Sequence, residues 1–387
     1  MTSAHPQEIH TFNGIEVVLT YLRANGIRHR IAMADPLLQK METRHNSRRV
    51  RPSLVMFLHG WPDVWFTWRY QLTMCARRGY LGVAPDMRGY GGTDAPKRME
   101  EYNVFSLAND VVGIVKALGY DDCILVGHDW GAWLSWYVAL MFPTCIRAVC
   151  AFSVPFSLHR KKGLLTHLRE KFGDSLYGSN DERRTSKFNY MLHHNLSGVE
   201  KEYEKHDYEA LYRILFYHKG VECICGTPEC TDDTMFPSSV NCDNFDASLV
   251  EGMWSRLPRP MYFPDWCSED DFTYLLNEFR RSGFLGGLMW CRTPDLNWKL
   301  TRHLDGLKIS QPTLFIAGTN DNVVQTYGGP ANCEDALMQG CEKNPRIRFF
   351  DGYGHWVHQE KAEEVNKVLL QFLDDQSSID QKCFARL

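Results

Sequence analysis

The chain has 387 residues, of which 44% are hydrophobic and 23% are charged, and its formal net charge is −4. This composition excludes a disordered chain. The near-neutral charge excludes the strongly basic surface that a nucleic-acid-binding protein needs. The length suggests two structural units, or one large unit that carries an insertion.

Short apolar runs alternate with longer amphipathic runs through the first 150 residues. The pattern predicts strands over 54–58, 80–84, 123–126 and 148–152, and helices over 64–78, 106–118 and 132–141. Strands that alternate with helices are typical of βαβ units, so we expect an α/β fold with a mostly parallel central sheet flanked by helices.

The pattern changes in the middle of the chain. From about Phe156 to Asp295 the sequence is rich in charge, tyrosine and histidine, with helices predicted over 203–216 and 269–281. Strand patterning resumes over 313–317 and 346–350, and a helix is predicted over 362–373. We therefore expect a core formed by residues 1–155 and 296–387, divided by a helical cap, or lid, over residues 156–295.

The most informative motif is Gly127-His128-Asp129-Trp130-Gly131, which lies between a predicted strand and a predicted helix. It has the Gly-x-nucleophile-x-Gly form of a nucleophile elbow. The central residue is aspartate, which is ionised at neutral pH and can attack an sp³ carbon that bears a leaving group. By itself the motif is also compatible with a glycine-rich turn that ends in a helix-capping aspartate.

Three further motifs follow predicted strands. His59-Gly60-Trp61-Pro62-Asp63 comes after the strand over 54–58. Asp321 follows the strand over 313–317, and His355 follows the strand over 346–350. The order nucleophile, acid, histidine is that of the α/β-hydrolases.

Together these motifs resemble those of the α/β-hydrolase-fold epoxide hydrolases, and the resemblance extends from about Asn25 to Asp374. It implies a hydrolase acting on ether bonds, which opens a small apolar epoxide to a vicinal diol. Asp129 would be the nucleophile, His355 the base that activates water, and Asp321 the acid that orients His355. The backbone N–H groups of Trp61 and Trp130 would form the oxyanion hole.

The resemblance also implies residues that contact the substrate. Tyr190 would donate a proton to the epoxide oxygen, although a packed aromatic side chain of the cap is an alternative for it. A second tyrosine is expected where this chain has Cys291, and a thiol is a weaker hydrogen-bond donor. We expect His59, Trp61, Trp130 and Cys291 to line the substrate pocket.

Two other functions stay open. A haloalkane dehalogenase uses the same Asp/His/Asp machinery, and the indole of Trp130 could then bind halide. A third interpretation is a ligand-binding protein with weak or lost turnover, because Cys291 stands where a second tyrosine is expected.

No cofactor and no metal are expected. The segment from Cys223 to Cys230 is interpreted as a cap loop, with zinc binding as the alternative. The sequence shows no secretory signal and no membrane span. We therefore expect the 13 cysteines to lie in a reducing, cytoplasmic compartment. The final Ala385-Arg386-Leu387 resembles a peroxisomal address. Water and the epoxide are the expected partners, with no nucleic acid, and a homodimer is left open.

Overall fold

The computed structural model describes residues 8–37, 51–157, 161–172, 189–217, 257 and 259–384. The strands of this part of the chain are β1 (Glu8–Phe12), β2 (Ile15–Ala24), β3 (Ile27–Ala34), β4 (Leu54–Leu58), β5 (Leu81–Pro85), β6 (Cys123–His128), β7 (Ile146–Phe152), β8 (Thr313–Gly318) and β9 (Arg346–Phe350). They form one sheet in the order β1-β2-β3-β5-β4-β6-β7-β8-β9.

The sheet is parallel from β5 to β9 and antiparallel at its β1 end. Strands β4, β5 and β6 are buried at every position, as expected of parallel strands covered by helices on both faces. The predicted α/β fold with a mostly parallel sheet is confirmed, and six predicted strands lie within two residues of their predicted bounds.

The three N-terminal strands were not predicted. Two Asn-Gly pairs connect them, Asn13-Gly14 between β1 and β2 and Asn25-Gly26 between β2 and β3. All four residues have positive φ, between 51° and 76°. Such pairs are the strongest short-range signal for a tight hairpin turn, so the sequence did contain the information needed to place this meander.

The helices flank the sheet and cover its carboxyl edge. They are α1 (Arg69–Arg78), α2 (Val104–Ala117), α3 (Trp130–Met141), α4 (Leu164–Phe172), α5 (Tyr190–His193), α6 (Val199–Lys205), α7 (Asp207–Phe216), α8 (Glu269–Ser282), α9 (Leu285–Arg292), α10 (Pro294–Leu300), α11 (Asn322–Thr326), α12 (Pro330–Gly340), α13 (Val357–Glu360) and α14 (Ala362–Phe384). The helix predicted over 203–216 is in fact two helices, α6 and α7, because the backbone leaves helical geometry at His206 (φ −126°, ψ 35°).

Helices α4 to α10 all lie between β7 and β8 in the chain. The carboxyl ends of β4, β6, β8 and β9 meet at one edge of the sheet, and each is followed by a motif singled out in the sequence. Ligands of open α/β sheets bind at this edge. Among the described residues, no helix has both the length and the apolar character required to cross a membrane.

Candidate active site

A tight turn between β6 and α3 presents Asp129 above the carboxyl edge of the sheet. Its backbone has φ 53° and ψ −118°, a combination that non-glycine residues rarely adopt. Gly131, two residues after Asp129, permits α3 to pack closely against β4. A Cβ at this position would clash with the carbonyl oxygen of Leu58 on β4. The elbow thus depends on close contact between the start of α3 and the end of β4.

One oxygen of the Asp129 carboxylate is held by the backbone. Oδ1 accepts a hydrogen bond from the N–H of Trp61 at 3.0 Å. Burial raises the pKa of Asp129, while His355 and the backbone N–H groups of Trp61 and Trp130 act in the opposite direction. The same two N–H groups would meet negative charge that develops on this oxygen.

The other oxygen faces an imidazole. Oδ2 of Asp129 lies 3.7 Å from Nε2 of His355, and Nδ1 of His355 lies 2.9 Å from Oδ1 of Asp321. Because a carboxylate oxygen only accepts, Nδ1 carries the proton and Nε2 is directed towards Asp129. Burial lowers the pKa of His355, but the charge and hydrogen bond of Asp321 and the charge of Asp129 outweigh it and raise the pKa to about 9.

Asp321 is held rigidly at the end of β8. Its side chain is fully buried and caps α11, because Oδ1 also accepts from the N–H of Val323 at 2.8 Å. A carboxylate fixed in this way orients the His355 ring and stabilises its charged form.

A second layer of imidazoles lies behind His355. The ring of His128 lies 4.5 Å from the rings of both His355 and His358. Nε2 of His128 is 2.9 Å from the carbonyl oxygen of His355. Burial and the neighbouring imidazoles hold the pKa of His128 and His358 well below the usual range. Sequence reasoning missed this layer, because strand β6 and helix α13 are far apart in the chain.

A cavity opens over Asp129 and His355. Among the described residues, its polar lining includes Asp129, Tyr190, Asn320 and His355. Apolar side chains from the loop after β4, the elbow, α7 and the segment before α8 form much of the rest: Trp61, Trp130, Ile214, Leu215, Leu257 and Trp266. An apolar wall with a few polar groups at one end of the cavity suits an apolar ligand whose reactive group lies at that end.

Tyr190 reaches this cavity from the first residue of α5, a helix capped by the side chain of Asn189. Burial raises the pKa of its phenol well above the usual range, and the charge of Asp129 adds to the shift. The phenol therefore keeps its proton at neutral pH.

Two residues predicted to line the substrate pocket lie behind it. His59 is buried, with Nδ1 2.9 Å from the carbonyl oxygen of Gly60 and Nε2 accepting from the N–H of Met87 at 2.9 Å. Both ring nitrogens are thus used by the backbone. Burial lowers the pKa of His59 to about 4, so this imidazole is neutral. The prediction of a direct substrate contact for His59 is corrected to a role in shaping the loop.

Cys291 is also fully buried, in a small apolar cluster with Leu165, Met191 and Leu192. Its Sγ lies 3.3 Å from Nδ1 of His194, and the Trp130 ring packs against the same cluster. Cys291 is not among the residues that line the cavity. The direct contact expected for Cys291 is therefore not supported, and its side chain packs behind the cavity wall.

The structure brings together Asp129, Asp321, His355, Tyr190, Trp61 and Trp130, all of which were singled out from the sequence. The segment from Cys223 to Cys230 and the final three residues lie outside the described residues.

Comparison with known proteins first defines the class. The alpha/beta hydrolase fold family matches residues 53–190. The crystal structure of epoxide hydrolase A from Mycobacterium thermoresistibile superimposes with a TM-score of 0.74 at 30% identity, covering 92% of this chain and 98% of that one. An epoxide hydrolase from Vigna radiata gives a TM-score of 0.72 at 28% identity, covering 93% of this chain and 98% of that one.

Sequence relatives narrow the class to a family. Epoxide hydrolase A of Mycobacterium tuberculosis is 32% identical over 320 residues, which are 83% of this chain and 90% of that protein. Epoxide hydrolase 1 of Siraitia grosvenorii is 30% identical over 82% of this chain and 91% of its own length. The chain therefore belongs to the epoxide hydrolase family, whose members are hydrolases acting on ether bonds.

Proposed function

We propose that this protein hydrolyses an apolar epoxide to a vicinal diol through an alkyl ester on Asp129, which water activated by His355 then cleaves. The geometry of Asp129 carries the proposal. Backbone N–H groups hold one carboxylate oxygen, and the other faces both the cavity and Nε2 of His355. A carboxylate that only capped a helix would need neither arrangement.

The first step forms a carbon–oxygen bond between Oδ2 of Asp129 and an epoxide carbon. The ring carbon–oxygen bond breaks, and its electron pair moves to the ring oxygen. The phenol of Tyr190 stays protonated at neutral pH and lines the same cavity as Asp129. Its proton would pass to the developing alkoxide, which makes the leaving group stable.

The second step cleaves the ester. Ester formation removes the negative charge of Asp129, one of the influences that raise the pKa of His355. The imidazole can then release its proton and, still oriented by Asp321, accept one from a water molecule. Water attacks the carbonyl carbon of the ester, and the N–H groups of Trp61 and Trp130 stabilise the oxyanion. As this intermediate collapses, the proton that His355 took from water passes to the leaving oxygen of the diol. The proton of the Asp129 carboxylic acid then returns to the phenolate of Tyr190, which restores both the carboxylate and the phenol.

The apolar cavity wall supports the substrate class. Trp61, Trp130, Ile214 and Leu215 surround the approach to Asp129, so a hydrocarbon substituent on the epoxide would lose contact with water on binding. Relatives named epoxide hydrolases at 30 to 32% identity support the same reaction.

The comparisons argue against a dehalogenase, because the similar proteins reported above are named epoxide hydrolases. An intact Asp129, His355 and Asp321 set likewise argues against a protein that has lost turnover.

Product analysis tests the proposed reaction. Incubation with an aryl-substituted epoxide and with the corresponding chloroalkane should give diol from the first and no halide from the second. The Asp129→Asn variant should lose at least about a thousandfold in turnover, because it lacks the nucleophile. Halide release without diol formation would support the dehalogenase instead. Tight epoxide binding with no product in the wild type would support a ligand-binding protein.

The cap, the cellular location and the assembly belong to the same proposal. Residues 156–295 would form a lid that supplies Tyr190. The protein would act in the cytoplasm or, through Ala385-Arg386-Leu387, in peroxisomes, and a homodimer remains open. Fluorescence imaging of an N-terminal fusion with and without the last three residues tests the address.

A further inference from the structure

A buried group of metal-ligating side chains lies behind the proposed active site. Asp63 follows β4, His128 ends β6 and His358 belongs to α13, and their exposures are 4%, 1% and 0%. One donor atom from each side chain lies within 4.8 Å of the other two. The reaction proposed above uses none of these three side chains directly.

Hydrogen bonding shows which nitrogen of His128 carries the proton. Nε2 lies 2.9 Å from the carbonyl oxygen of His355, and a carbonyl oxygen can only accept. Nε2 therefore carries the hydrogen and Nδ1 carries a lone pair. Within the described part of the chain, Nδ1 of His128 has no hydrogen-bond partner.

His358 has a similar arrangement. Its Nε2 lies 2.7 Å from Oγ1 of Thr67, which also accepts from Gln359 at 2.9 Å. In the tautomer in which Nε2 donates to Thr67, Nδ1 of His358 carries a lone pair. This Nδ1, too, has no partner among the described residues.

The group thus combines two imidazole lone pairs with a carboxylate. Asp63 accepts from the N–H of Val64 at 3.0 Å and from Nε1 of Trp356 at 3.1 Å, which uses one lone pair on each oxygen and leaves the others. Buried acceptors without a donor are costly. A divalent cation would take one donor atom from each side chain, and one such atom of each lies within 4.8 Å of the other two.

We propose that Asp63, His128 and His358 form a binding site for a divalent transition metal of the zinc class. Two imidazole nitrogens and one carboxylate oxygen are a donor set that Zn²⁺ accepts, whereas Mg²⁺ and Ca²⁺ prefer oxygen donors alone. The site would position rather than catalyse, because His128 holds the main chain at His355. Metal on Nδ1 would fix the ring that makes this contact.

Metal content and ligand chemistry test the site on the full-length protein. After dialysis against chelator and titration with Zn²⁺, wild type should bind about one equivalent in this site. X-ray absorption at the zinc edge should show nitrogen and oxygen neighbours only. A Co²⁺ derivative should lack thiolate charge-transfer bands, which separates this site from metal held by any of the 13 cysteines.

The variants His358→Gln and Asp63→Asn should each weaken Zn²⁺ binding by at least about 100-fold, with circular dichroism reporting whether they fold. The control is His303→Gln, at an exposed histidine, which should bind as the wild type does. Sulfur neighbours, equal binding by wild type and both variants, or no binding by the wild type would overturn the proposal. In the last case the three groups would share protons instead. None of these readouts depends on epoxide turnover.

Discussion

Asp129 combines a strained backbone with a constrained carboxylate. A non-glycine residue at φ 53°, ψ −118° costs on the order of 1–3 kcal/mol. The packing of α3 against β4 and the hydrogen bond from Trp61 hold it there. Strain of this kind is concentrated at functional sites, since it presents a side chain in one direction. Here that direction is towards the cavity and His355.

Tyr190 is the residue with the clearest single role in the proposed first step. Replacing it with phenylalanine keeps the ring and removes the proton donor, so we expect the turnover number for epoxide to fall by about 10²- to 10⁴-fold. The Michaelis constant should change much less. The midpoint of unfolding should shift by no more than it does when an exposed residue is replaced. Steady-state kinetics with one epoxide substrate measures both constants.

A matched control is Tyr208→Phe, in which the altered ring packs against Tyr212 and Phe272 away from the cavity. Its turnover should match the wild type. Equal turnover of Tyr190→Phe and wild type would assign Tyr190 to packing, which was the alternative for this residue.

Motifs singled out the residues that we propose carry the chemistry, but not which side chains line the cavity. Asp129, Asp321 and His355 were predictable because each follows a strand in a recognisable context. His59 and Cys291 were not, because the orientation of a loop or helix residue depends on contacts with distant parts of the chain. Met87 holds the ring of His59, and His194 lies against Cys291.

At the scale of elements, a buried ion network connects the sheet to α8. The side chain of Arg30 on β3 is 4% exposed and donates to Asp86 at 2.5 Å and to Glu278 at 2.5 Å. Glu278 lies on α8, so the guanidinium bridges the core and the helices inserted between β7 and β8. A planar donor with five N–H groups is suited to two carboxylates.

Removing Arg30 should therefore loosen α8. The Arg30→Met variant preserves much of the side-chain volume but leaves Asp86, which is fully buried, without its opposite charge. We expect a loss of about 3 kcal/mol in the free energy of unfolding, measured by urea denaturation. The exposed Arg23 on β2 provides the control, and Arg23→Met should change stability by less than about 0.5 kcal/mol. Equal stabilities for the two variants would contradict this account of the network.

Elements were predictable to different degrees. Buried parallel strands such as β4 and β6 contain continuous apolar runs, and their predicted bounds agree with the observed ones to within two residues. The antiparallel strands β1 to β3 mix buried and exposed positions, so composition did not distinguish them from loops. Only their Asn-Gly turns marked them. The break between α6 and α7 at His206 had no sequence signal that we could identify.

At the scale of the whole molecule, the chain separates the reacting groups and the fold reunites them. Asp129 lies before the helices α4 to α10, whereas Asp321 and His355 come after them. The parallel sheet brings β6, β8 and β9 to one edge, where the three side chains meet at 2.9 and 3.7 Å. The helices inserted between β7 and β8 can then vary in sequence without moving these three side chains.

The central claim is the ester on Asp129, and a single-turnover reaction in ¹⁸O-labelled water tests it most directly. With enzyme in excess over epoxide, water attacks the carbonyl carbon of the ester, so the label should enter the carboxylate of Asp129. The first diol released should carry an unlabelled oxygen from the enzyme. Mass measurement of the peptide that contains Asp129, and of the diol, gives the answer. Label in the diol with none in Asp129 would contradict the account, because water would then have attacked the epoxide itself.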